Sequence, residues 1–190
     1  MTFSERKRQC LEKLQKAKSE KKVDVAIIDL LDTINASEDY YTSSSCSGRI
    51  ILLEVVAPSF KQDAVFLFKS HKEISLEEIK NGINLHTSNQ LWLMVEPPIL
   101  HIGTRTLDAA KKMLTLSYAA GFKRSNIKSI GNKIIVEIMS SEEVHIPLGH
   151  DQMILVDDKY LEYVVALSNT IFKKGASRLM KLKTIIREEI

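Results

Sequence analysis

Thr42-Ser43-Ser44-Ser45-Cys46-Ser47-Gly48-Arg49-Ile50-Ile51-Leu52-Leu53-Glu54-Val55-Val56 carries the first clear β signal of the chain. From Ile50 onward it is a nearly unbroken apolar run of branched side chains, the composition of a buried strand. Ala64-Val65-Phe66-Leu67-Phe68 repeats the pattern, after a turn predicted at Pro58-Ser59 and Lys61-Gln62-Asp63. Leu91 to Val95 and Ile99 to Ile102, joined through Pro97-Pro98, predict two more strands. Gly131-Asn132 lies between Ile127-Lys128-Ser129-Ile130 and Lys133 to Met139, a two-residue hairpin signal. Val144-His145-Ile146 and Met153 to Val156 complete the strand candidates.

Helices flank this region. Thr2 and Glu5 form a capping box for a helix running to about Lys18. Asp24 is placed to cap a second helix, with Ile27, Leu30, Leu31 and Ile34 on one face. Ser75 and Glu78 box a short helix ending near Gly82, and Leu107 to Ala120 reads as an amphipathic helix stopped by Gly121. Asp157 or Asp158 begins a long terminal helix with Leu161, Val164, Val165, Ile171, Phe172, Leu179, Leu182 and Ile186 inward and a bend expected at Gly175. Strands gathered in the middle, joined by hairpins rather than alternating with helices, predict an α+β fold. Its sheet is expected to be mixed and largely antiparallel, flanked by helices at both chain ends, and not the doubly wound parallel sheet of a Rossmann fold. No repeat, linker or composition break interrupts residues 1–190, so a single domain is expected.

The net charge of +3 conceals its distribution. Residues 1–22 hold eight Lys/Arg against three Glu, and residues 173–190 hold six against two, so the middle is acidic. Within it, seven basic residues between Arg105 and Lys133 face only Asp108. Clustered cations permit phosphate binding through counterion release, but Lys-rich helices are also simply well solvated. Cys10 and Cys46 are too few for a disulfide scaffold, and neither an apolar span nor a signal-peptide core is present. A soluble cytoplasmic protein is expected.

No Gly-x-Gly-x-x-Gly turn, phosphate loop, His-Glu-x-x-His or paired Cys-x-x-Cys occurs, so neither the usual dinucleotide site nor a metal centre is expected. The one dense constellation is Thr42 to Arg49. Five hydroxyls and a thiol lead into a glycine and an arginine, a donor-rich surface suited to an anion. Gly48 allows close approach to the backbone, and Arg49 can clamp a carboxylate or phosphate. A serine run is ordinarily a flexible loop, but this one feeds directly into a core strand. Cys46 reads either as a nucleophile, which needs a base, or as a packed thiol. His71 and His101 each end a strand, where an imidazole suits proton transfer. Trp92 and Tyr40-Tyr41 are candidates for base stacking, with core packing the ordinary alternative for Trp92.

Thr42 to Arg49 matches (Ser/Thr)-x-Ser-Ser-Cys-x-Gly-Arg at every fixed place. In this it resembles the tRNA wybutosine-synthesising N(4)-methyltransferases of archaea and eukaryotes. Val23-Asp24, Ile34-Asn35, Asp39-Tyr40-Tyr41, His71, Glu96-Pro97-Pro98-Ile99-Leu100-His101, Gly121-Phe122-Lys123-Arg124-Ser125, Ile146-Pro147-Leu148 and Ser168-Asn169 agree in order. Phe66 stands where the family usually has tryptophan, and Lys22 where it commonly has glycine. The resemblance implies methyl transfer from S-adenosylmethionine to a ring nitrogen of a tricyclic guanine derivative beside the anticodon of phenylalanine tRNA. It implies an architecture of the family's own and no obligate protein partner. It places the serine–cysteine motif at the active centre with an aspartate and a histidine, by position Asp24 and His101 or His71; Thr42, Ser44, Ser45, Cys46, Gly48 and Arg49 are the residues then expected to meet the cofactor. The alternative reading is an RNA-binding protein without catalysis.

Overall fold

The hydroxyl-rich run is itself a strand. In the computed structural model, which describes residues 1–55, 64–87 and 89–190, β1 spans Tyr40–Cys46 and β2 spans Arg49–Val55. The other strands are β3 (Val65–Ser70), β4 (Gln90–Glu96), β5 (Ile99–Thr104), β6 (Asn126–Ser129), β7 (Ile134–Met139), β8 (Val144–His150) and β9 (Met153–Ile154). The helices are α1 (Phe3–Ser19), α2 (Ile28–Ala36), α3 (Leu76–Ile83), α4 (Leu107–Ala119) and α5 (Asp158–Glu189). The turn expected at Pro58-Ser59 and Lys61 to Asp63 lies outside the described residues. The fold is α+β as expected, but with two antiparallel sheets in place of one, ordered β1-β5-β7-β6 and β3-β2-β4-β8-β9.

Contacts gather the chain into two compact units. The first comprises Met1–Ser47, Pro98–Ser141 and Ala176–Ile190, and the second Gly48–Pro97 and Glu142–Gly175. The divisions fall between Ser47 and Gly48 of the hydroxyl motif, between Pro97 and Pro98, between Ser141 and Glu142, and inside α5. None of these is a linker, so composition carries no trace of them.

In the first unit, Leu100 and Ile102 of β5 and Val136 and Ile138 of β7 point to one face of their sheet. They pack with Leu30, Leu31 and Ile34 of α2, Met113 of α4, and Leu182 and Ile186 of α5. Each such side chain contributes about 1.5–3 kcal/mol of transfer free energy. Phe122, next after Gly121, is fully buried in the same core. Thr2 and Glu5 bond each other's backbone at the start of α1, as their spacing predicts. Asp24 precedes a short 3₁₀ turn (Val25–Ile27) that leads into α2, but its side chain does not cap that turn.

Strand β2 explains its own composition in the second unit. Ile50 and Leu52 join Leu91, Leu93 and Val95 in a cluster with Ile79 of α3 and Leu161, Val164 and Val165 of α5. Ile51, Leu53 and Val55 are buried with Met94 in a separate cluster. A strand covered on both faces reads as a continuous apolar run rather than an alternating one. Ser75 and Glu78 box α3 as predicted, and Asp157 caps α5, its carboxylate accepting from the Tyr160 N–H at 2.8 Å.

Tyr40 and Tyr41 are 3% exposed and serve the first unit's packing rather than base stacking. The Tyr40 hydroxyl donates to the Ala109 carbonyl, and the Tyr41 ring stacks near Phe3 at 5.3 Å between centroids. Tyr41 lies so close to the β5 backbone that a Cβ on Gly103 would stand 2.0 Å from its Cζ. Gly103→Ala is therefore expected to lower stability by about 1–3 kcal/mol or more. Urea unfolding measures this, and an unchanged midpoint would contradict the packing described.

Candidate functional site

A β-strand rich in serine is unusual, and this one is held by strand pairing on one side and by two polar side chains on the other. One side of β1 pairs antiparallel with β5. On the other, Thr42 N–H donates to Asn35 Oδ1 at 2.8 Å while Asn35 Nδ2 donates to the Thr42 hydroxyl, also at 2.8 Å. Asp24 Oδ2 accepts from both the Ser47 N–H at 2.8 Å and the Ser47 hydroxyl at 3.0 Å. Asn35 and Asp24 thus cover an edge that would otherwise offer unpaired donors. Asp24 holds the end of the motif, which is a different post from the helix cap its position suggested.

A bulge at Ser43 interrupts the β1–β5 register and sets Ser44 opposite His101. His101 pairs in turn with Glu137 on β7, and Glu137 with Asn126 on β6. One row across four strands therefore reads Ser44, His101, Glu137, Asn126. The Ser44 hydroxyl lies 3.2 Å from His101 Nδ1, and His101 Nε2 lies 2.7 Å from Glu137 Oε2. Asn126 Nδ2 donates to Glu137 Oε1 at 3.4 Å. A second bulge, in β6, falls at Lys128, whose ammonium pairs with Glu137. The Ser43 hydroxyl donates to the His101 carbonyl at 3.3 Å. Bulges re-aim side chains, and both of these deliver polar groups to the same histidine.

The Lys128 hydrogen bond holds the Glu137 carboxyl below the usual carboxylate range; partial burial opposes it, and the bonds from His101 and Asn126 reinforce it. The folded-state value is lowered, so the stabilisation from this cluster is present above the ordinary carboxylate pKa and is lost as pH falls through the lowered one.

Beside the row, a cleft of about 380 Å³ is lined by Thr42, Ser43, Ser44 and Ser45 together with Cys10 and Lys13 of α1. The Ser45 hydroxyl is buried and has no hydrogen-bond partner among the described residues. Buried polar atoms are ordinarily paired, so Ser45 stands out among the motif hydroxyls. Cys46 forms no disulfide.

The remaining motif residues lie in the second unit. Gly48 has φ +91°, a backbone region that side chains disfavour. Arg49 Nε is buried and has no hydrogen-bond partner among the described residues, while the guanidinium lies over the Phe66 ring at 5.7 Å. Phe66, one of the two departures from the family pattern, thus supports the motif arginine directly. His71 Nδ1 lies 2.9 Å from the Gly48 carbonyl, which can only accept, so Nδ1 is the donor. Trp92 packs partly against the Ile51–Met94 cluster and donates to Gln90.

The model of the methyltransferase TYW3 family matches residues 5–188. The chain belongs to the TYW3 methyltransferase family. A relative from Thermococcus kodakarensis is 43% identical over 187 residues, covering 98% of this chain and 94% of that protein. It is named tRNA(Phe) 7-((3-amino-3-carboxypropyl)-4-demethylwyosine(37)-N(4))-methyltransferase 1. A relative of the same activity from Archaeoglobus fulgidus is 37% identical, covering 96% of this chain and 92% of its own. The solved structure of the PH1069 protein from Pyrococcus horikoshii superposes with a TM-score of 0.94 at 42% identity, over 97% of this chain and 96% of that one. A hypothetical protein from Aeropyrum pernix gives a TM-score of 0.73 at 32% identity, over 87% and 96%.

Several family motifs prove to be structural. Asn169 clamps the backbone of Ile74, accepting from its N–H at 2.9 Å and donating to its carbonyl at 2.8 Å. Ser125 ties its hydroxyl to the Phe122 carbonyl. Glu137, Asn126 and Lys128 escaped the sequence reading; the trace they left is one acid inside Ile134-Ile135-Val136-Glu137-Ile138-Met139. Burial raises the Cys10 thiol above its ordinary value, with Lys13 and Lys133 opposing. Iodoacetamide at pH 8 should therefore alkylate Cys10 more slowly than free cysteine, as followed by peptide mass analysis; an equal rate would contradict the burial.

Proposed function

We propose that this protein transfers a methyl group from S-adenosylmethionine to a ring nitrogen of the tricyclic guanosine derivative beside the anticodon of phenylalanine tRNA. This is a step in making wybutosine or a wyosine relative, carried out in the cytoplasm. Membership of the family, whose named relatives act on the N(4) position of such a base, supports the reaction class. The observation that carries the site is the Ser44–His101 contact, which joins the motif to an imidazole at hydrogen-bond distance.

Two motif donors suit a carboxylate. Ser45 Oγ and Arg49 Nε are each buried with no partner among the described residues, and a carboxylate accepts from both kinds of group. In the first unit the cofactor's contacts are assigned to Thr42, Ser44, Ser45 and Cys46; in the second, the Gly48 backbone and Arg49 offer the donors that suit a carboxylate. Asp24 holds the cofactor's ammonium or ribose end and keeps the motif in place through Ser47. S-adenosylmethionine supplies an electrophilic methyl group on a sulfonium centre, so the protein needs in-line placement rather than a covalent intermediate. As the nitrogen–methyl bond forms, the target nitrogen sheds a proton, which His101 accepts.

Between the histidines, the network favours His101. It touches a motif serine and is backed by a carboxylate, whereas His71 donates to a backbone carbonyl and supports the Gly48 turn.

The basic stretches have a common address. All the Lys and Arg of residues 1–22 and 105–133, and those of 176–190, fall in the first unit, which also carries His101. These cations serve the anticodon stem, whose unpaired loop presents the base.

Nucleoside mass analysis of phenylalanine tRNA, incubated with the protein and S-adenosylmethionine, should show a gain of one methyl group on the tricyclic base. No gain would overturn the proposal. Arg49→Ala should weaken S-adenosylmethionine by at least about tenfold in calorimetry, and wild-type affinity would remove Arg49 from the site. His101→Ala should leave that affinity within about threefold and cut turnover by about 10²-fold or more; full turnover would reassign the role.

A further inference from the structure

Glu137 lies outside the family's motif, yet its side chain is engaged by three others on the His101 face of the first unit's sheet. Its carboxylate takes three side chains: His101 Nε2 at 2.7 Å, Asn126 Nδ2 at 3.4 Å, and the Lys128 ammonium. An ionised carboxylate only accepts, so at 2.7 Å the His101 Nε2 must donate. Lys128 Nζ also lies 3.1 Å from His101 Nε2. Both atoms are donors, so that approach reflects a shared acceptor, Glu137 Oε2, rather than a bond between them.

This settles which nitrogen of the neutral ring carries the lone pair. With Nε2–H committed to Glu137, Nδ1 is the basic nitrogen, and it faces Ser44 at 3.2 Å. Ser44 is exposed while the Glu137 side chain is only 14% exposed, so the ring's basic edge looks outward and its donor edge inward. The Ser44 hydroxyl can donate to that lone pair or turn to an arriving carboxylate and uncover it.

We propose that Glu137, kept ionised by Lys128 and oriented by Asn126, is a positioning residue that fixes the His101 tautomer with its Nδ1 lone pair toward the motif serine. This rests on the reading of His101 as the proton acceptor. The step balances simply: the target nitrogen gains a methyl group from the sulfonium, which becomes a thioether, and the nitrogen's proton passes to Nδ1 as its N–H bond breaks. A ring with the opposite tautomer would present a donor where an acceptor is required. Carboxylate–imidazole pairs govern proton acceptors and metal-bound histidines by this same means.

The test uses the full-length protein and three variants. In wild type, ring ¹⁵N NMR of His101 should show a protonated Nε2 and an unprotonated Nδ1. Glu137→Gln should mix the two tautomers and lower kcat by about 10–100-fold, with KM changed by less than about threefold. Glu137→Asp, which keeps the charge, should recover part of the rate. A Glu137→Gln protein with wild-type kcat and tautomer, where His101→Ala is inactive, overturns the positioning role and leaves the proton acceptor in place. A fully active His101→Ala protein overturns both.

Discussion

The antiparallel pairing of β1 with β5 is the constraint on which the site depends. A strand's side chains alternate between faces, so a slip of one residue would turn the whole hydroxyl run over. The bulge at Ser43 is where the register is set. Before it, Thr42 stands opposite Ile102 of the core; after it, Ser44 stands opposite His101. Asn35 holds the residue before the bulge and Asp24 the residue after the strand, so the serines are ordered by their neighbours rather than by their own weak strand propensity.

From that register the chemistry follows along the sheet. β5 carries His101, β7 carries its carboxylate, and β6 reaches back with Asn126 and the bulged Lys128. A serine, an imidazole, a carboxylate and an ammonium are thereby fixed on one face without a loop among them. Rigid strands hold such groups more closely than loops do. The opposite face is filled by Leu100, Ile102, Val136 and Ile138, so the same strands supply both core and site.

Much of the architecture was legible because its signals are local. The Thr2/Glu5 and Ser75/Glu78 boxes, and the apolar run from Ile50, each depend on neighbours within a few residues. The identity of β1 was not legible, because serine favours turns and only long-range pairing makes it a strand here. The two-unit organisation left no mark in composition: three of its divisions fall in short connections between strands and the fourth inside α5. In the site, Thr42 to Arg49 announced itself by density, whereas His101, expected at a strand end, lies inside β5 with Ser44 and Glu137 as its neighbours on either side. Glu137 lies 36 residues beyond His101, and only the β5–β7 register brings them together. No spacing rule reaches that far.

The Phe66 position shows how a departure from family pattern acquires meaning from structure. In sequence it lies outside the motif; in space its ring lies beneath Arg49. An aromatic face stabilises a guanidinium whether it belongs to phenylalanine or tryptophan, though the larger ring does so more strongly.

The central proposal is that the hydroxyl-rich motif meets a sulfonium donor without a glycine-rich turn. Titrating the ¹⁵N-labelled protein with S-adenosylmethionine and following the backbone amides tests it most directly. The account requires saturable shifts concentrated at Thr42 through Arg49 and at Asp24. Shifts that never saturate, or that saturate only at residues remote from this segment, would contradict it.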